Sequence, residues 1–193
     1  MEQVQKPAAS GQKHKSDRRF ARTQDDLLTT FRDLVLSRGY DGITVSDIVE
    51  RANVGRSTFY EHFENKDDLF RHSLRSVVPA LADAVCEDCD RARLDMVVRH
   101  FWDRRDIVPT MTGGSARVVM IGYLAEEIET RLARRRRQTK RAPALPLHLI
   151  AAQIAEAQCG LLTAWIASQG VPAERVAEAL AASSQAIATA SGL

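Results

Sequence analysis

Residues 44–66, TVSDIVERANVGRSTFYEHFENK, place two short helical stretches on either side of only three residues, Asn53-Val54-Gly55. Few arrangements satisfy that spacing. Thr44 is a good helix N-cap, and Asp47 follows three residues later. Val45, Ile48 and Val49 then face inward, and the helix ends near Ala52. Asn53 tolerates the left-handed backbone that a tight turn requires. The next helix runs from Arg56 to about Phe63. Val54, Phe59 and Phe63 serve as its apolar anchors, which leaves Arg56, Ser57, Thr58, Tyr60, Glu61 and His62 facing outward. Two short helices at a three-residue turn form a helix-turn-helix. The second has the dimensions to enter a DNA major groove, about 12 Å wide.

The flanking sequence is helical in both directions. Thr23 with Asp26 reads as a capping box opening a first helix, whose Leu27, Phe31, Leu34 and Val35 share a face and which Gly39 stops. Asn65 caps a fourth helix, with Asp68 in its first turn. That helix carries Leu69, Phe70, Leu74, Val77, Val78 and Leu81, and Pro79 is expected to kink or interrupt it. Helices are further expected over Leu94 to about Asp106, Ser115 to about Arg137 and Leu147 to Gln169. Residues 138–146 form a loop, Gly170 is a stop, and Pro172 opens the last helix. No segment sustains strand alternation. The fold class expected is all-α, with about nine helices: an N-terminal three-helix bundle with the helix-turn-helix, then a helical C-terminal domain. The division expected is a disordered basic arm over 1–18, the helix-turn-helix domain over 19–65 and the C-terminal domain over 66–193.

Composition sets limits on these readings. The formal net charge is +2, so any basic footprint must be local. One such footprint is Lys13, His14, Lys15, Arg18, Arg19 and Arg22. It reads either as a solvated tail or as an arm touching DNA phosphates or the minor groove. A second is Arg131, Arg134–Arg137, Lys140 and Arg141, either a solvated helix end or a contact to DNA or an acidic partner. No uninterrupted apolar run approaches the roughly 18 residues of a membrane span, and the N-terminus has no secretory signal. A cytoplasmic, nucleoid-associated protein is the expectation. The three cysteines, Cys86, Cys89 and Cys159, read as reduced thiols. Cys86 and Cys89 form a Cys-x-x-Cys pair without a second pair, so no metal is expected, nor any cofactor. No Gly-x-Ser-x-Gly, P-loop, HExxH or Gly-x-Gly-x-x-Gly is present, and an enzyme is not expected.

The run from Arg22 to Leu69 resembles the N-terminal domain of the TetR/AcrR family of transcriptional regulators. The matching residues are Phe31, Leu34, Gly39, Thr44, Ile48, Ala52, Val54, Thr58-Phe59-Tyr60, His62-Phe63, Lys66 and Leu69. The resemblance implies that Tyr60 and His62 bind phosphate, that Lys66 and the free N–H groups at the start of the fourth helix hold another, and that Thr44 offers a similar anion site. Arg56, Ser57 and Thr58 fall at the base-reading positions. The family usually has Gly at Asn53 and Ser or Thr at Gly55. These departures leave the operator sequence open.

The same resemblance implies a homodimer formed by the last two helices, which are rich in small residues: Ala151, Ala152, Ala155, Ala157, Gly160 and Ala164, then Ala177, Ala181, Ser184 and Ala188. Such a dimer meets double-stranded DNA at a pseudo-palindromic operator. It implies too a small apolar or aromatic effector between the C-terminal helices, with His100, Phe101, Trp102, Met120, Tyr123 and Trp165 as candidate ligand-binding residues and His148 as a further polar group. The expected function is a sequence-specific DNA-binding regulator, a repressor released by its effector. The alternative is an interaction protein of this fold whose main target is another protein.

Overall fold

The computed structural model describes residues 9–106, 108–138, 142–168 and 170–193. Ten helices and no strand are found among them: α1 (Ala9–Arg38), α2 (Val45–Ala52), α3 (Arg56–His62), α4 (Lys66–Ser73), α5 (Val78–Asp83), α6 (Arg91–Asp103), α7 (Val108–Thr112), α8 (Gly114–Gln138), α9 (Leu147–Ala167) and α10 (Ala173–Ala190). The all-α class holds. The count exceeds nine because a short helix, α7, precedes α8.

Two boundaries differ from the expectation. The first helix begins at Ala9 and not at Thr23, so the stretch 9–18, expected to be disordered, is helical; residues 1–8 lie outside the described residues. Thr23 is not a cap. Its hydroxyl donates back to the Arg19 carbonyl at 3.0 Å, the habit of a threonine inside a helix. Gln, Lys, Arg and Ala are strong helix formers, and they carry the helix back past the apparent start signal. The second difference is the break expected at Pro79. It falls earlier, between Ser73 and Val78, and Pro79 sits in the first turn of α5, where its missing N–H costs nothing.

The N-terminal domain closes on Leu27, Phe31, Leu34 and Val35 of α1, Ile48 of α2, Phe59 of α3 and Leu69 and Phe70 of α4, all buried. The C-terminal body is built around α8 and α9, which pack along each other. Ala116, Met120, Leu124, Ile128 and Leu132 recur every four residues to form the inner stripe of α8. Each fully buried Leu or Ile there contributes roughly 1.5–3 kcal/mol. The inner face of α9 includes Ile150, Ile154, Leu162 and Trp165. One polar residue interrupts it: the buried Gln158 amide donates to the Leu81 carbonyl (3.1 Å) and to Ser184 Oγ (2.9 Å), tying α9 to α5 and α10. By length and mean hydropathy (1.3) α9 would suffice to cross a membrane, although His148, Gln153, Glu156 and Gln158 interrupt any continuous apolar run.

Polar contacts join the domains. Arg71 of α4 pairs with Glu126 of α8. Asp41, in the α1–α2 turn, accepts from the Ser115 hydroxyl and from the Ser115 N–H at 3.4 Å, so the N-terminal domain caps the start of α8. Gly114 makes this close approach with φ +55°; a Cβ there would collide with the Asp41 carboxylate.

Candidate nucleic-acid interface

α2 and α3 take the geometry that their sequence requires. Thr44 caps α2 in a full capping box: its N–H donates to the Asp47 carboxylate at 2.8 Å, and the Asp47 N–H donates to Thr44 Oγ1 at 3.3 Å. Asn53 ends α2 in the left-handed region (φ 53°, ψ 45°), and Gly55 is the N-cap of α3. The turn is therefore the one expected, with asparagine making the bend.

α3 has two faces. Phe59 and Phe63 are buried, with ring centroids 5.8 Å apart, and anchor it to the domain. Arg56, Ser57 and Glu61 are exposed. Tyr60 is 51% exposed and stands edge-on to Phe59 at 5.4 Å. An aromatic side chain left half in solvent beside its own anchor has a free hydroxyl to offer a partner. Thr58 is half-buried and lines a groove with Arg19, Phe20 and Thr23 of α1.

Three expected phosphate ligands carry additional commitments. His62 stacks on Phe20 of α1, centroids 3.9 Å apart and planes at 33°. Burial lowers its pKa, and its Nδ1 is buried without a hydrogen-bond partner among the described residues. Burial thus favours the uncharged ring, and Nε2 is the nitrogen left to meet a phosphate. Lys66 donates to the carbonyls of Tyr40 (2.9 Å) and Ile43 (3.0 Å), with its ammonium 4.1 Å above the Tyr40 ring. Two of its three N–H donors thus hold the α1–α2 turn against α4, and one remains for an anion. Burial and the neighbouring Asp67 carboxylate, to which the Tyr40 hydroxyl donates, push the Tyr40 phenol well up. Thr44 commits both its N–H and its hydroxyl to Asp47, whose carboxyl these bonds hold below the usual carboxylate range. The start of α2 already contains an anion of its own.

No sequence pattern pointed to Phe20. An isolated aromatic outside the periodic core looks like a surface residue, and its partner lies 42 positions away. Asp41 and Ser115 escaped for the same reason.

The C-terminal candidates divide into three groups. Phe101 and Met120 line an apolar cavity with Leu74, Val78, Leu81, Val108, Thr112, Leu124, Cys159 and Leu162. Its volume, about 10 Å³ for the centre of a water-sized sphere, admits a single water at most. Trp102 and Trp165 stack on each other at 5.1 Å away from that cavity, and the Trp165 N–H donates to the Val171 carbonyl. Tyr123 lies under the Arg71 guanidinium, while His100 and His148 are exposed. One cavity does not gather all of them.

The small residues also divide. Ala151, Ala155, Ala177, Ala181, Ser184 and Ala188 are buried within the chain, so the α10 stripe expected at the dimer interface packs internally. The outward faces include Ala157, Gly160 and Ala164 of α9 and Ala179, Ala182, Ala186 and Ala190 of α10, set among polar residues such as Gln153, Glu156, Glu178 and Ser183. Gly160 has no neighbour within 4 Å of where a Cβ would be. Among the other side expectations, Arg131 and Arg135 serve as internal clasps. Arg131 binds Asp83, Glu127 and the Pro79 carbonyl, and Arg135 binds the Val85 carbonyl and Glu87. They lie toward the C-terminal end of α8, roughly 25–30 Å along the helix from its start beside the N-terminal domain. Lys140 and Arg141 lie outside the described residues. Burial raises the thiols of Cys86 and Cys89, and among the described residues no group of three His, Cys, Asp or Glu is placed to hold a metal.

A helix-turn-helix with an outward polar second helix, mounted on an all-helical body, defines a class of DNA-reading proteins. Residues 27–72 match the family described as bacterial regulatory proteins, tetR family. Over 80 residues the chain is 35% identical to YxbF, an uncharacterised HTH-type transcriptional regulator of Bacillus subtilis, which covers 39% of this chain and 21% of that one. It is 43% identical over 47 residues to DhaS, the dhaKLM operon transcriptional activator of Lactococcus lactis (24% and 25% covered). It is 28% identical over 83 residues to IcaR, the negative regulator of the biofilm operon icaADBC in Staphylococcus epidermidis (43% and 36% covered). The chain spans about a fifth to a third of the length of these relatives. In fold, it resembles a TetR-family regulator of Streptomyces coelicolor over 97% of this chain and 99% of that one, at TM-score 0.58 and 22% identity. A TetR regulator of Streptococcus agalactiae covers 89% and 98% at TM-score 0.57 and 22% identity. Residues 27–72 thus carry a domain of the tetR family of bacterial regulatory proteins, and the fold as a whole resembles that of TetR-family regulators.

Proposed function

We propose that this protein is a sequence-specific DNA-binding transcriptional regulator that works as a homodimer and represses by covering its operator. The division of α3 carries the reading: Phe59 and Phe63 hold the helix down while Arg56, Ser57 and Tyr60 are presented outward. Arg56 supplies a guanidinium that fits guanine O6 and N7, worth roughly 1–3 kcal/mol of discrimination. Tyr60, His62 Nε2 and the remaining Lys66 N–H supply phosphate contacts. The outward alanine and glycine faces of α9 and α10 support pairing with a second copy, since small side chains let helices approach closely. A dimer then presents two copies of α3 about one helical turn apart.

Release by a small molecule is the second part of the proposal. The cavity between α5, α6, α7, α8 and α9 is apolar and nearly closed, which favours an uncharged effector that enters by displacing side chains such as Met120. The matched relatives include an activator and a negative regulator, so repression rests on occlusion and not on likeness.

The test is a gel shift with DNA from upstream of the protein's own gene. Binding at nanomolar concentration is expected. With these three phosphate contacts on each of two subunits, the slope of log affinity against log salt should be about −5 or steeper. Binding should weaken further in Tyr60→Ala plus Lys66→Ala. Binding indifferent to salt and to both changes would remove the groove model.

A further inference from the structure

The first turns of α1 run past the core of the N-terminal domain as a helical rod. Residues 9–22 extend it by about 20 Å. Positions 15, 18, 19 and 22, all Lys or Arg, fall at i, i+3, i+4 and i+7 and so share one stripe. Arg18, Arg19 and Arg22 are exposed, and among the described residues none is in an ion pair. Elsewhere Arg71, Arg99 and Arg117 are each paired with a carboxylate. Cations spaced this way repel one another along the helix until anions sit among them.

The stripe is held in place. Phe20, on the side of α1 turned away from Arg18 and Arg22 and a quarter-turn from Arg19, stacks on His62 at the end of α3. Arg19, Phe20 and Thr23 form one wall of a groove of about 500 Å³ whose other wall is the Asn53–Gly55 turn with Thr58 and Glu61. Phe20 remains 47% exposed, too open for a core residue, and its contact is with a residue of the reading helix.

We infer that the basic stripe of α1 is a second DNA-backbone contact, a rigid helix docked on the flank of α3 by the Phe20–His62 stack, which holds phosphates beside the bases that α3 reads. Guanidinium forks suit phosphate oxygens, and such contacts add affinity without base preference. The inference rests on the DNA-binding reading above and deepens it by adding an element outside the helix-turn-helix.

The experiment measures DNA affinity against salt for the full chain and for four variants. Arg18→Ala/Arg19→Ala/Arg22→Ala should bind at least tenfold more weakly, on operator and unrelated DNA alike. Its salt slope should be shallower by about 2–5, as two subunits each lose one to three phosphates. Phe20→Ala keeps every charge, and it should nevertheless lose at least half of that change in slope. Adding Phe20→Ala to the triple variant should then cost less than twofold more, because the stack acts through the stripe. Arg134→Ala/Arg137→Ala removes exposed cations at the other end of α8 and should leave binding unchanged. A triple variant no weaker than that control overturns the inference. So does a Phe20→Ala slope equal to the parent's, which would describe a loose charged tail. A parent that binds no DNA overturns the underlying reading as well, whereas normal parental binding with an unaltered triple variant overturns only this one.

Discussion

α3 and α9 solve opposite problems with the same kind of split face. α3 has seven residues, two large aromatic anchors inward and polar side chains outward. α9 has 21 residues, a broad apolar face inward and a mixture of small and polar side chains outward. A short helix cannot hold itself in place, so nearly all its stability is borrowed through Phe59 and Phe63, and its outer residues are free to specialise. A long helix with a broad buried face needs no such anchors. Its outer face can be left nearly featureless, which suits meeting a second copy of itself. On the proposed reading, one surface meets an unlike, charged partner and the other a second copy of itself.

Adjacent residues of α3 should separate the two roles most widely. Phe59→Ala is expected to cost about 3–5 kcal/mol in denaturant unfolding, as a fully buried aromatic does. A loss below 1 kcal/mol would mean α3 is not anchored as described. Next in size, Gly160→Trp should leave the single-chain fold intact, since the space there is open, while preventing pairing. Light scattering should then report 21.4 kDa in place of twice that mass. Operator affinity should fall about a hundredfold, or roughly 2.7 kcal/mol. An unchanged mass would place the dimer contact elsewhere. Tyr60→Ala should change stability by less than about 0.5 kcal/mol. Its DNA affinity should nonetheless drop about tenfold, near 1.4 kcal/mol. Equal losses of folding and binding would erase the distinction between the two faces.

The smallest expected effect concerns the start of α2. Hydrogen bonds from Thr44 hold the Asp47 carboxyl below its ordinary range, so the unfolded chain takes up this proton more readily than the folded one. The stability gained is complete above the ordinary carboxylate pKa, near about 4, and fades as pH falls through the lowered folded value. Melting curves from neutral to acid pH should show the gap between parent and Asp47→Asn narrowing below that point. A gap that stays constant would mean that the carboxylate charge contributes nothing to the cap.

The two ends of the molecule also differed in how far they could be read in advance. The helix-turn-helix was legible because its rules are local: Thr44 with Asp47, Asn53 in the turn, Asn65 with Asp68, and apolar spacing along α1 and α3 act within a few residues. The start of α1 was misread although it too is local, since Thr23 and Asp26 imitate a cap that helix-forming neighbours override. Around the candidate site, the exposure of Arg56, Ser57 and Tyr60 followed from periodicity, whereas the use of Lys66 on two backbone carbonyls did not. The C-terminal body was less legible. Alanines occur on both faces of α9 and α10, so periodicity alone could not say which stripe was internal.

By itself the sequence determined the helical class, the turn between α2 and α3 and the outward set of side chains on α3, because caps, turn residues and a 3.6-residue period are settled between near neighbours. Tertiary structure alone decided that Phe20 stacks on His62, that Asp41 caps α8 across 74 residues and that Phe101 and Met120 share a cavity from which Trp102 and Trp165 are excluded. Those outcomes depend on how whole helices approach one another, and no local spacing encodes the distance between two helix axes.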